Sequence, residues 1–190
     1  MALEKYQEKR KFEKTPEPKG EKKSESSTKI FVVQKHRARA LHYDFRIEHR
    51  GVLLSWAVPK GFSMDPKVKH FAKKVEDHPF DYAQFEGIIP KGNYGAGEVI
   101  VWDRGVYIAG DDPAKSEKYL DQGLSKPSQH FIVTLLGNKL KGSFVLSQIK
   151  DDDWIIFKRD DEHVSKNNVF DERSVVSGKT LEELKDESSG

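Results

Sequence analysis

The segment Leu41-His42-Tyr43-Asp44-Phe45-Arg46-Ile47-Glu48 sorts its chemistry by parity: odd positions are all apolar or aromatic, and even positions are all ionisable. On a strand, side chains two apart share a face with Cα atoms ~6.5–7 Å apart, close enough for His42 and Asp44 to converge on one ion held at roughly 2.0–2.2 Å. His36 ends the preceding apolar run, and a short turn over residues 37–40 would bring it alongside. Two imidazoles and one carboxylate suit a borderline to hard divalent ion (Mn, Fe, Zn or Co) and leave coordination positions for water and substrate. Arg46 extends the same face, and a guanidinium beside such an ion is suited to gripping two phosphate oxygens. In Val75-Glu76-Asp77-His78-Pro79, the proline biases His78 toward an extended conformation, so Glu76 and His78 share a face and His78 can act on the anion as proton donor or charge stabiliser. Two readings compete: a solvated polar sheet face with a surface Arg46–Glu48 pair, and a non-haem iron oxygenase, whose ligands also combine His-x-Asp with a distant His.

Strands must position these groups. Period-two alternation bounded by Gly and Pro marks strands at Ile30–His36, Leu41–His49, Val52–Val58, Glu98–Trp102, Val106–Ile108, His130–Leu136, Gly142–Gln148 and Trp154–Lys158. Turn signals at Arg50-Gly51, Pro59-Lys60-Gly61, Gly92-Asn93 and Gly137-Asn138 favour a mainly β, compact antiparallel barrel with short helices over βαβ units. Asp112-Pro113 opens a short helix to about Asp121, and residues 65–77 fit a helix or a strand. The Gly-rich run 92–97 precedes the strand Glu98–Trp102, not a helix N-terminus, so it reads as a tight turn and not as a phosphate loop.

Residues 1–29 carry 9 basic and 6 acidic groups with few apolar side chains, which predicts a largely flexible basic arm. Residues 161–190 carry 4 basic and 8 acidic groups and predict a disordered acidic tail, apart from a capping box at Thr180 and Glu183. Residues 30–160 remain as the barrel domain. The absence of cysteine excludes a disulfide scaffold, a thiolate metal site and a cysteine nucleophile. The basic front and acidic tail mildly suit an anionic ligand, and a non-catalytic DNA-end-binding module is a further reading. No apolar run approaches the ~18 residues of a membrane span, and no apolar signal segment follows Met1, so a cytoplasmic protein without membrane partners is expected.

Six ordered motifs carry a family resemblance: Phe31–His36, Leu41–Arg46, Ser55–Gly61, Val75–Pro79, Phe85–Pro90 and Tyr94–Asp103. Over about residues 6–160 the chain resembles the 3′-phosphoesterase domain of bacterial ligase D and its free-standing relatives. The resemblance implies a small barrel with a manganese site, other divalent ions such as Co2+ or Zn2+ also being possible, that resects DNA 3′ ends. A terminal ribonucleoside would leave first, and the resulting 3′-phosphate would then be hydrolysed to the 3′-hydroxyl. It implies His36, His42 and Asp44 as metal ligands and Arg46, His78 and Tyr82 as phosphate contacts. Gln34, Glu76, Arg10 and Glu17 match positions tied to the terminal ribonucleoside. Lys11 stands where an Asp is usual and His70 where Arg is frequent. The implied partners are primer–template 3′ ends, with a DNA ligase and polymerase acting in trans.

Overall fold

The computed structural model describes residues 3–20, 29–126 and 128–187. The elements are α1 (Glu4–Glu8), β1 (Ile30–Arg37), β2 (Leu41–His49), β3 (Val52–Val58), β4 (Lys69–Lys74), β5 (His78–Pro79), a 3-10 turn (Phe80–Gln84), β6 (Gly87–Ile89), β7 (Gly97–Ala109), a 3-10 turn (Pro113–Lys115) running into α2 (Ser116–Leu124), β8 (His130–Gly137), β9 (Lys141–Lys150), β10 (Asp153–Lys158) and α3 (Leu181–Glu187). Antiparallel pairing proceeds β1-β2-β3-β4-β10-β9-β8-β7, and β7 returns to β1, closing an eight-stranded barrel. Beyond it, β6 pairs with β7 and β5 with β3. Among the described residues, no helix is long and apolar enough to cross a membrane.

Alternation decides which side chains fill the barrel. Phe31 and Val33, Phe45 and Ile47, Leu54 and Trp56, Ala72, Trp102, Phe131 and Val133, Phe144, and Trp154 come from all eight strands and pack into one cluster. Trp56 meets Phe131 and Trp154 edge-on with ring centroids 5.8 and 5.6 Å apart, a favoured aromatic geometry, and Phe131 lies tilted against Trp154 at 5.8 Å. The opposite parity of β1, β3 and β7 supplies Val32, Leu53, Val99 and Val101 to a second, external cluster with Tyr6, Tyr82, Phe85 and Ile89.

Two expected strands, Glu98–Trp102 and Val106–Ile108, are one: β7 runs unbroken through Asp103 and Gly105. The Asp103 carboxylate is satisfied by the backbone N–H groups of Asn138, Lys139 and Leu140 at 2.9, 3.1 and 2.8 Å. A Cβ at residue 105 would meet the Leu136 carbonyl oxygen at 2.1 Å, so glycine permits the close pairing with β8. In the ambiguous segment 65–77, residues Lys69–Lys74 form a strand, because Ala72 pairs with Trp154 and enters the core.

The flanks also depart from expectation where they are described. Tyr6 is fully buried, Glu17 is buried, and residues 3–20 lie against the outer face of the barrel. In the C-terminal segment, Phe170 meets Trp102 edge-on at 5.2 Å, Leu181 is buried, and α3 begins in the reciprocal Thr180–Glu183 cap. Composition averages over a segment, whereas a few anchors are enough when each meets a surface that is already built.

Candidate metal and phosphate site

The β1–β2 hairpin brings the three candidate metal ligands together. Its register places His36 opposite His42 and Gln34 opposite Asp44, with residues 38–40 forming the turn. His36 Nδ1 lies 3.5 Å from Asp44 Oδ2, and His42 Nε2 lies 3.6 Å from Asp44 Oδ1. All three ligand atoms fall within 4.8 Å of one another.

Both imidazoles have fixed orientations. His36 donates from Nε2 to the Gly95 carbonyl at 2.8 Å, and His42 donates from Nδ1 to the Ala40 carbonyl at 3.0 Å. The other nitrogen of each ring faces the carboxylate, where it hydrogen-bonds Asp44 when protonated and can bind a cation when it is not. Burial alone would raise the Asp44 pKa, yet the Arg46 guanidinium and the two histidines hold it well below the usual carboxylate range. Residues and charge thus fit a divalent ion.

Arg46 is almost fully buried and tightly held. Nε donates to Gln34 Oε1 at 2.8 Å, Nη1 to Ser55 Oγ at 2.8 Å, and Nη2 lies 3.2 Å from Asp44 Oδ2. A guanidinium has five N–H donors, so two remain for an anion. Gln34 does not reach the cavity. It sits behind Arg46 and donates from Nε2 to the carbonyls of Tyr82 and Phe85 at 3.0 and 2.9 Å. Its position is that of a brace between β2 and the Phe80–Gln84 turn.

His78 is buried on β5. Burial, then the charges of Arg46 and Arg10, push its pKa well below the ordinary imidazole value. Nδ1 donates to the Glu76 carbonyl at 2.9 Å, and Nε2 accepts from Arg10 Nη2 at 3.2 Å. This is a neutral ring whose acceptor faces the cavity.

The segment 3–20 completes the wall. Arg10 stacks 3.8 Å from the Tyr6 ring centroid and donates to Glu17 Oε1 at 2.8 Å and Glu76 Oε1 at 3.2 Å. Tyr82 donates to the same Glu17 oxygen at 3.0 Å, and its hydroxyl pKa is raised by burial first and the Glu17 charge second. Tyr6 lies edge-on to His78 at 5.0 Å and donates to the Pro18 carbonyl at 2.6 Å, closing the segment on itself.

The result is a cavity of about 260 Å3 on the outside of the barrel. Of the ten expected site residues, Arg10, Glu17, His36, His42, Asp44, Arg46, Glu76, His78 and Tyr82 line it, and Gln34 stands behind. Ser55, Tyr6 and the Gly95 carbonyl were not expected. Ser55 had a legible signal, being the one polar residue in the apolar run Val52–Val58. Lys11 is exposed, and His70 accompanies the Gly61 carbonyl at 2.7 Å outside the cavity.

The family model of the DNA ligase D 3′-phosphoesterase domain matches residues 34–148. The chain is 47% identical to the multifunctional non-homologous end joining protein LigD of Pseudomonas aeruginosa, over 94% of this chain and 22% of that protein. It is 41% identical to the multifunctional non-homologous end joining DNA repair protein LigD of Mycobacterium tuberculosis, over 89% of this chain and 21% of that protein. The chain spans about a fifth of the length of these curated relatives.

Proposed function

This chain belongs to the DNA ligase D 3′-phosphoesterase domain family, and from that premise we propose that it is a divalent-metal-dependent hydrolase of DNA 3′ ends. It removes a 3′-terminal ribonucleoside, then hydrolyses the remaining 3′-phosphate, leaving a 3′-hydroxyl for a polymerase and ligase in end joining. The observation that carries this reading is the convergence of His36, His42 and Asp44 within 4.8 Å, directly beside an Arg46 with N–H groups to spare.

A bound ion, manganese foremost and cobalt or zinc as substitutes, supplies Lewis acidity toward a phosphate oxygen and lowers the pKa of water. The side chains do the rest. Arg46 binds the equatorial oxygens through its two remaining N–H groups, and Tyr82 adds a hydroxyl donor once it leaves Glu17. Each such contact is worth roughly 2.7–4 kcal/mol of barrier. His78, neutral with its proton on Nδ1, takes at Nε2 a proton from the attacking water when Arg10 turns from it to the substrate, and gives it up to the departing oxygen. Glu76 is an acceptor for a ribose hydroxyl, the group that distinguishes RNA from DNA at the terminus. Clustered guanidiniums favour this anionic ester over an oxygenase substrate.

The test is turnover of a 5′-labelled primer bearing a 3′-phosphate, with manganese. His42→Ala, Asp44→Ala and His78→Ala should each lose at least ~10²-fold in rate, and chelation should abolish activity until manganese is restored. Near-normal turnover by all three variants would refute the assignment.

A further inference from the structure

The ion-site cavity adjoins a second one of about 250 Å3, formed between α1 and the end of β4. The two share Val75, Glu76 and Tyr94. Tyr94 is 48% exposed, unusual for a large aromatic side chain beside a polar site. Lys9 lies 4.7 Å from its ring centroid and also binds Glu76 at 3.0 Å, forming a low ridge between the cavities.

The second cavity has basic walls but few available charges. Lys9 is paired with Glu76, Lys73 with Asp153 at 2.6 Å and Lys74 with Asp77 at 2.9 Å. A run of phosphates would have to break these pairs. Apart from the Lys5 ammonium, the cavity offers the alkyl stems of lysines and the half-exposed Tyr94 ring, over which Lys9 Nζ lies at 4.7 Å and Arg10 at 5.5 Å from the centroid; a flat group without charge can take the place of Lys9 on that ring. Its volume accommodates one such unit and not a strand. On the ridge, Glu76 accepts from Lys9 at Oε2 (3.0 Å) and from Arg10 at Oε1 (3.2 Å), and a hydroxyl can replace either donor, so the linking group there is a hydroxyl-bearing sugar.

We propose that this second cavity binds the base of the 3′-terminal ribonucleoside, stacked on Tyr94, with its ribose over Glu76 and the scissile phosphodiester at the ion site. The inference rests on the function proposed above and adds the subsite for the leaving nucleoside. It makes Tyr94 a determinant of the nucleoside-removing step and a bystander in the 3′-phosphate step, where no terminal nucleoside is present.

The experiment compares three 5′-labelled primers with manganese: one ending in a ribonucleotide, one ending in a ribose that lacks its base, and one ending in a 3′-phosphate. For the unmodified chain, loss of the base should lower kcat/KM by about tenfold or more, the scale of one base–aromatic stack. Tyr94→Ala should lose a similar factor on the ribonucleotide primer and little on the other two, so that the penalty for the missing base disappears. Tyr94→Phe should restore the intact primer, because the ring remains. Equal turnover of the base-free and intact termini, or equal slowing of the 3′-phosphate primer by Tyr94→Ala, overturns the proposal. Failure of the unmodified chain on all three primers overturns the underlying phosphoesterase reading, and the subsite with it.

Discussion

Strands β1 to β3 have two buried faces of opposite character. One sends Phe31, Val33, Phe45, Ile47 and Trp56 into the barrel, where each meets apolar neighbours from other strands. The other holds Gln34, His36, Asp44, Arg46 and Ser55, every one buried and most bound to a charged or polar partner. Burial alone therefore does not mark a core. The inner face gains by excluding water from hydrocarbon. The outer face gains in the same way only around Val32 and Leu53; its polar part persists because its groups satisfy one another.

Substitutions can separate the two faces. The largest stability effect should come from Trp56→Ala, which empties a site between Phe131 and Trp154 and should cost about 3–5 kcal/mol, read as a lower urea midpoint with kcat per folded molecule unchanged. A collapse of kcat at unaltered stability would mean the faces are not independent. Gln34→Met should lower both readouts: it leaves Arg46 Nε–H and the Tyr82 and Phe85 carbonyls without their partner, which costs about 1–3 kcal/mol of stability, and kcat per folded molecule should fall roughly tenfold or more as well because Arg46 loses its brace. Full kcat in this variant would remove Gln34 from the positioning role.

The smallest effect concerns pH. His78 is neutral in the folded protein, its pKa depressed by burial and by Arg46 and Arg10, whereas an unfolded imidazole titrates near ~6.5. The unfolded state takes up the proton first, so stability is held above that pH and declines below it, by at most about 1.4 kcal/mol per pH unit. Urea midpoints measured between about pH 5 and 7 should slope less for His78→Phe than for the unmodified chain. Identical slopes would show that His78 is not the group responsible.

Local pattern carried much of this architecture. Alternation located β1, β2 and β3 and the parity of the ionisable face, because a period of two is written into consecutive residues. The three-residue turn then put His36 opposite His42. Strands β5 and β6, of two and three residues, are too short to show a period. Hidden as well were contacts such as Arg10 with His78 and Glu17 with Tyr82, which join residues more than sixty positions apart. Tyr6 illustrates the difficulty: a lone aromatic among Lys and Glu reads as solvated until the His78 and Tyr82 rings that receive it are in place.

Closure of the barrel limits how another protein can engage it. Exposed strand edges are ordinary recruitment points, since an extended peptide can add there through main-chain hydrogen bonds. Here the eight barrel strands are paired on both sides, and the margin left at β6 is three residues long with α3 beside it. Among the described residues, a partner protein thus finds no long open strand to extend and would meet this chain through side chains.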